Sequence, residues 1–128
     1  MPASPPTRCP CGSGRRYDAC CGRLHRGEAE AVTAEELMRS RFSSFAVRDE
    51  DYLRRSWDPT TCPRRIRLDP ERRWTELEIV ATTGGGMLDR EGTVEFRAHH
   101  EHDGLPGVLH ETSRFRRDDG RWVYVTGE

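Results

Sequence analysis

Four cysteines between residues 9 and 21, Cys9, Cys11, Cys20 and Cys21, constrain this chain more than any other feature. The same stretch, 9 to 23, carries Gly12, Gly14 and Gly22 and has too few apolar side chains to build a core, so something other than burial must hold it. Thiolates are soft anionic ligands, and four of them close a tetrahedral shell around one zinc ion at about 2.3 Å, leaving no open position for water. The reading is therefore one structural zinc per chain, ligated by Cys9, Cys11, Cys20 and Cys21. The spacing C-x-C, eight residues, then C-C departs from paired C-x2-C. It requires Gly12 and Gly14 to curl the backbone tightly and aim amides at the sulfurs. Arg8, Arg15 and Arg16 would offset the site's negative charge, and Tyr17 and Leu24 would supply a small apolar cover. The competing readings are unligated thiols, which would oxidise readily at such density, and a reversible redox switch.

The compartment follows from the same residues. No run is long and apolar enough to span a bilayer, and Met1-Pro2-Ala3-Ser4-Pro5-Pro6 lacks the basic and hydrophobic regions of a secretory signal. A cytoplasmic location is expected, and in a reducing compartment clustered cysteines favour a metal over disulfides. With 21 basic against 22 acidic residues there is no overall field to attract nucleic acid or an anionic membrane, so nucleic-acid binding would need a local patch.

Behind the cysteines the chain reads as one α+β domain. A Pro-rich tail, 1–8, is expected to be disordered; the metal module spans 9–25 and the larger domain 30–128. Thr33-Ala34-Glu35-Glu36 is a capping-box pattern, and Met38, Phe42 and Phe45 then share a helix face. Asp49-Glu50-Asp51 opens a second, shorter helix with Tyr52, Leu53 and Trp57 inward, ended by Asp58-Pro59. Four strands follow as a meander: 74–82, 93–101, 109–117 and 121–126, with turns at Gly84-Gly85-Gly86 (a flexible one), Gly104 to Gly107 and Asp119-Gly120. Helices first and antiparallel strands afterwards predict two helices covering one face of a curved sheet.

Polar residues of the larger domain offer weaker signals. Alternation sets Glu111 with Leu109, Ser113 and Phe115 on the core face, where a carboxylate is unusual. It would serve as a pocket acid or base with a raised pKa, with Ser113 and Tyr124 or Tyr52 beside it. Otherwise it pairs with Arg39 or Arg41 of the covering helix. His99, His100, His102 and His110 read as exposed hairpin histidines; a catalytic use would need a third positioned group. Cys62 reads as a buried spectator thiol, and Arg64-Arg65, Arg72-Arg73 and Arg114 to Arg117 as solvated faces.

Cys9-Pro10-Cys11-Gly12-Ser13-Gly14, Tyr17 and Cys20-Cys21-Gly22 resemble the SEC-C zinc motif found at the C-terminal tail of the SecA translocation ATPase, with Cys21 where the SecA form has histidine. Leu37-Met38-Arg39-Ser40-Arg41-Phe42-Ser43, Trp57-Asp58-Pro59, Gly92-Thr93-Val94-Glu95-Phe96, His110-Glu111-Thr112-Ser113-Arg114-Phe115 and Gly120-Arg121-Trp122-Val123-Tyr124-Val125 resemble the YchJ family. That resemblance implies an N-terminal SEC-C knuckle joined to a cone-shaped domain of the nuclear transport factor or cystatin-like kind. It implies no activity.

Two functions then compete. In the preferred one, not an enzyme, the zinc knuckle presents Arg15, Arg16 and Arg23 to a macromolecular partner, a protein or a ribonucleoprotein; the resemblance to SecA points to ribosomes or the chaperone SecB. A homodimer is compatible with it. In the other, the cone cavity around Glu111 and Ser113 binds or transforms a small molecule. An open cavity with convergent polar groups favours the second; one filled by Phe42, Phe45, Trp57 and Phe96 favours the first.

Overall fold

The computed structural model describes residues 8–128, so the expected disordered tail falls outside the described residues apart from Arg8, which forms an antiparallel bridge with Arg16. In chain order the elements are a 3-10 turn (Tyr17–Ala19), α1 (Cys21–His25), α2 (Ala34–Val47), α3 (Glu50–Arg55), β1 (Arg72–Gly84), β2 (Glu91–His102), β3 (Leu105–Asp118) and β4 (Arg121–Gly127). No helix is long and apolar enough to cross a membrane.

The helix starts follow their caps. The Thr33 hydroxyl accepts from the Glu36 N–H at 3.1 Å and the Asp49 carboxylate from the Tyr52 N–H at 3.0 Å, each satisfying a donor that the first turn leaves open. The Glu36 carboxylate reaches back to the Val32 N–H at 3.0 Å, one residue earlier than an ideal box. Arg48, at φ 62°, turns left-handed and ends α2. Trp57 is not helical: α3 stops at Arg55, and the chain then runs parallel to β4. There Tyr124 N–H donates to the Ser56 carbonyl at 2.8 Å and Asp58 N–H to the Tyr124 carbonyl at 2.7 Å. Asp58 is buried, and its carboxylate, held well below the usual range by Arg116 at 2.6 Å and by Thr60, pins this segment to β3.

The sheet is an antiparallel meander in the order β1-β2-β3-β4. Its strands run longer than their hydrophobic patterns, because polar residues extend the ladder at both ends. The Gly104 to Gly107 turn contracts to Asp103-Gly104, both at positive φ, and Asp119-Gly120 is built the same way. Register shifts at 74–76 and 79–81 of β1 and 114–115 of β3 curve the sheet. The second of these carries Ala81 out to solvent, away from the face of Leu77.

Helix α2 lies on the concave face, packing Leu37, Met38 and Phe42 against Val94, Phe96 and Phe115. Each such full burial contributes about 1.5–3 kcal/mol. The opposite side of α2 is buried as well, although it carries Ser40, Ser43 and Ser44, all at 0% exposure. The cysteine module and α3 together cover that side, so α2 is a central layer between them and the sheet.

Gly84-Gly85-Gly86, expected as a flexible turn, is a fixed joint. Gly85 accepts from the Ala34 N–H at 2.9 Å and donates to the Glu91 carbonyl at 2.9 Å, tying β1 and β2 to the start of α2. Arg117 closes the loop by donating to the carbonyls of Met87 and Asp89 while stacking on Trp122.

Candidate metal centre and cone cavity

The knuckle is an irregular loop from Arg8 to Arg16, then the 3-10 turn and α1. Cys9 N–H donates to the Arg15 carbonyl at 2.9 Å and Gly12 N–H to the Cys9 carbonyl at 3.2 Å, so Cys9 and Cys11 sit in one tight curl. Gly12 (φ 84°) and Gly14 (φ 83°) supply the left-handed backbone that this curl needs. The return limb brings in Cys20 and Cys21, and Gly22 leaves no room for a Cβ, which would lie 2.7 Å from the Tyr17 carbonyl.

The four sulfurs of Cys9, Cys11, Cys20 and Cys21 all lie within 4.8 Å of one another, with Cys11 and Cys20 at 3.7 Å. Four sulfurs about 2.3 Å from one tetrahedral ion would stand about 3.8 Å apart, so the spacing fits a single metal ion. All four are free of disulfides. Hydrogen bonds from the Cys11 and Cys21 thiols pull Cys9 below the ordinary thiol range, while Cys11, Cys9 and burial push Cys21 above it. Four such groups cannot ionise together without a cation among them.

The module is fastened to α2 through polar contacts. The Cys9 sulfur meets the Ser43 hydroxyl at 3.4 Å, and Arg39 donates to the Cys11 carbonyl at 2.8 Å. His25, at 8% exposure, bridges the two: its Nε2–H donates to the Ser40 carbonyl at 2.9 Å, which leaves Nδ1 to accept from the Tyr17 hydroxyl at 2.6 Å. Burial lowers the pKa of His25 below its ordinary 6.5. The unfolded chain therefore takes up a proton first as pH falls, and the stability from neutral His25 is complete above about 6.5 and declines below it. Thermal midpoints of the metal-loaded protein should fall between about pH 6.5 and 5, and less steeply for His25→Gln, which keeps a donor but does not titrate. Equal slopes would remove His25 as the cause.

A second site lies on the other side of α2, a cavity of about 280 Å³ between α2 and the sheet. Its walls are chiefly aromatic, from Phe42, Phe45, Trp57, Trp74 and Phe96, with Arg41, Arg72, Glu111, Ser113 and Tyr124 as polar members. The expected face of β3 is present: Glu111 stands opposite Phe96 and Ser113 opposite Val94. Glu111 has no ion pair with Arg39 or Arg41. Arg39 bonds Glu35 and the Cys11 carbonyl, and Arg41 donates to the Leu53 carbonyl and the Ser56 hydroxyl. The Glu111 carboxylate lies instead beside Gly127 and the Tyr124 hydroxyl end. Burial raises the Tyr124 phenol above its ordinary value, and Tyr52, which bonds Ser40, is pushed up to about 12.

Comparison with known proteins places both sites in one family. The model of the YchJ middle NTF2-like domain matches residues 33–127, and that of the SEC-C motif matches residues 7–23. The chain belongs to the YchJ family. UPF0225 protein SCO1677 of Streptomyces coelicolor is 52% identical over 128 residues, 100% of this chain and 98% of that one. UPF0225 protein CE1570 of Corynebacterium efficiens is 50% identical over 129 residues, 100% and 98% respectively. Among solved structures, RPA3114, a SEC-C motif containing protein from Rhodopseudomonas palustris, superposes with TM-score 0.81 at 37% identity, covering 94% of this chain and 96% of that one. A SEC-C motif containing protein from Psychrobacter arcticus gives 0.72 at 25% identity, covering 92% and 80%.

Within this YchJ-family chain some of the remaining residues keep their sequence reading and others depart from it. His99 and His110 keep to the outer face of the sheet, paired with Glu78 at 3.7 Å and Glu95 at 2.7 Å. His100 stacks edge-on against Trp74. His102 sits among Asp69, Glu71 and Asp103, an exposed ion-pair cluster. Cys62 is half-buried, with its sulfur 3.8 Å from Arg54. Arg72, Arg116 and Arg117, expected on solvated faces, line the cavity, hold Asp58 and close the glycine loop. His25 and the serines of α2 escaped the sequence reading, because a lone histidine and three serines carry no periodic signal.

Proposed function

We propose that the ion is zinc, that it is structural, and that the chain is an accessory protein of the reducing cytoplasm whose knuckle docks an acidic protein or ribonucleoprotein partner. Four cysteine sulfurs at tetrahedral spacing suit zinc or iron, and a closed set leaves no position for catalysis. The docking reading rests on the two-sidedness of the knuckle. Cys9, Cys11 and Cys21 are buried toward α2, whereas Arg8 and the loop from Gly12 to Arg16 are exposed, a rigid cationic rim already ordered for recognition.

Elemental mass spectrometry with thiol titration tests the metal: one zinc per chain and four thiols released by a chelator are expected, and iron or no metal would refute the assignment. For docking, a photo-reactive residue at Ser13 should cross-link a partner in cells, and the Arg15→Glu, Arg16→Glu double variant should lose that product while keeping its metal. Equal cross-linking from the Asp119 turn would show the contact to be nonspecific.

One observation favours a second reading: the cone cavity is not filled by Phe42, Phe45, Trp57 and Phe96, which line it and leave about 280 Å³ between them. The domain on this reading also binds a small molecule.

A further inference from the structure

We propose that the cone cavity receives a small aromatic carboxylate whose anionic head pairs with Arg41; this rests on the small-molecule reading of the cavity. Arg41 is 4% exposed, a buried cation on α2. Among the described residues no carboxylate pairs with it. Its Nη1 donates to two neutral acceptors, the Leu53 carbonyl at 2.9 Å and the Ser56 hydroxyl at 2.6 Å, and no other described hydrogen bond engages the guanidinium. Its carbon lies 4.8 Å from the Trp57 ring centre and 4.4 Å from that of Tyr124. Stacking and two neutral acceptors offset only part of the cost of burying a charge, and desolvation lowers its pKa to about 10. A planar fork with Nη2 and Nε unengaged is the group that grips a carboxylate by two hydrogen bonds.

The surroundings point the same way. The cavity holds an excess of donors: Trp57 Nε1 and Arg72 Nε are both buried without a partner, and both side chains line it, Trp57 against Arg41 and Arg72 against Trp74. Buried donors without acceptors are rare in folded proteins, and two of them lining one apolar space together with the half-engaged guanidinium of Arg41 ask for an acceptor-rich ligand. The cavity's own acid, Glu111, lies beyond the Tyr124 ring, toward its hydroxyl end and Gly127, whereas Arg41 lies over the ring face. Two arginines against one glutamate leave the lining as a whole cationic. The aromatic walls suit a flat ring, and about 280 Å³ is near the lower end of ligand pockets, about 300–1,000 Å³, which limits the guest to one ring and a short chain. Leu109, on the lining, is 37% exposed and marks where the cavity reaches the surface.

The test is a calorimetric and tryptophan-fluorescence titration of the metal-loaded protein with 3-phenylpropionate, its neutral amide and phenethylamine. The acid should bind, with the amide and the amine at least about tenfold weaker. Glu111→Gln, which removes the opposing charge without touching Arg41, should tighten the acid by about three- to tenfold. Arg41→Gln should abolish binding, and Arg41→Lys should weaken it by losing the fork. The amide comparison and Glu111→Gln stand even where an Arg41 variant fails to fold. Equal binding of acid and amide, or weaker binding in Glu111→Gln, would overturn the anion inference while leaving a ligand cavity in place. No binding of any of the three at about 10 mM would overturn both.

Discussion

Cys21→Ser should release the metal and lower the stability of the whole chain, not of the knuckle alone. Cys21 is 3% exposed, and three remaining thiols cannot close a tetrahedral shell. Structural zinc sites contribute folding free energy outright, because the ligands are gathered only in the folded state. The knuckle here is one wall of α2: Cys9 touches Ser43, Cys11 accepts from Arg39, and His25 donates to Ser40 and accepts from Arg55 through its carbonyl. Its loss would uncover Ser40 and Ser43 and the back of the helix that builds the core. A loss of about 3 kcal/mol or more is expected, on the order of 10 °C in Tm. Circular dichroism melts beside metal analysis check it. Metal loss with an unchanged melt would make the knuckle an independent appendage, and retained metal would refute ligation by Cys21.

Gly92→Ala should be the most damaging single-methyl change in the sheet. A Cβ at Gly92 would lie 2.5 Å from the Gly85 Cα and 2.6 Å from its nitrogen, both backbone atoms of a loop that cannot move aside. Gly85 is itself pressed against α2, where its own Cβ would come within 2.7 Å of that of Ala34, and it carries the hydrogen bond to the Ala34 N–H. The added methyl would force β1 from β2 or the joint from the helix, costing about 2–4 kcal/mol. Urea unfolding should show the midpoint fall with little change in slope. A variant as stable as the parent would mean that the joint yields.

The contrast between the two faces of α2 shows what the sequence could carry. Met38 and Phe42 fall at helical spacing and announce their face, and Val94, Phe96 and Ala98 do the same at a period of two, so helices laid on a meander were legible. The clustering of the four cysteines was legible because thiols at that density have few other uses than holding a metal. The serine side of α2 was not. Ser40, Ser43 and Ser44 look solvated in a string of letters, and are buried because small side chains let another segment approach. Arg41 was misassigned for a related reason: charge predicts an ion pair, whereas two aromatic rings and two neutral acceptors take its place, a grouping spread over residues 41 to 124. Trp57 left the helix since its neighbours Ser56 and Asp58 pair their backbone with Tyr124 of strand β4.

The central position of α2 also bears on how the chain is made. Each strand pairs only with its neighbour in sequence, so the sheet can zip hairpin by hairpin as it leaves the ribosome, but none of it exists until residue 72 has emerged. Until then the greasy side of the main helix has nothing to lie on, and a fourteen-residue helix is marginal by itself in water. The four-cysteine loop, synthesised before α2, is a template already available once a metal gathers its sulfurs. On the zinc proposal, supply of the ion during translation would set how long Met38 and Phe42 wait on an unformed scaffold, and starvation for it would surface first as aggregation of newly made chains.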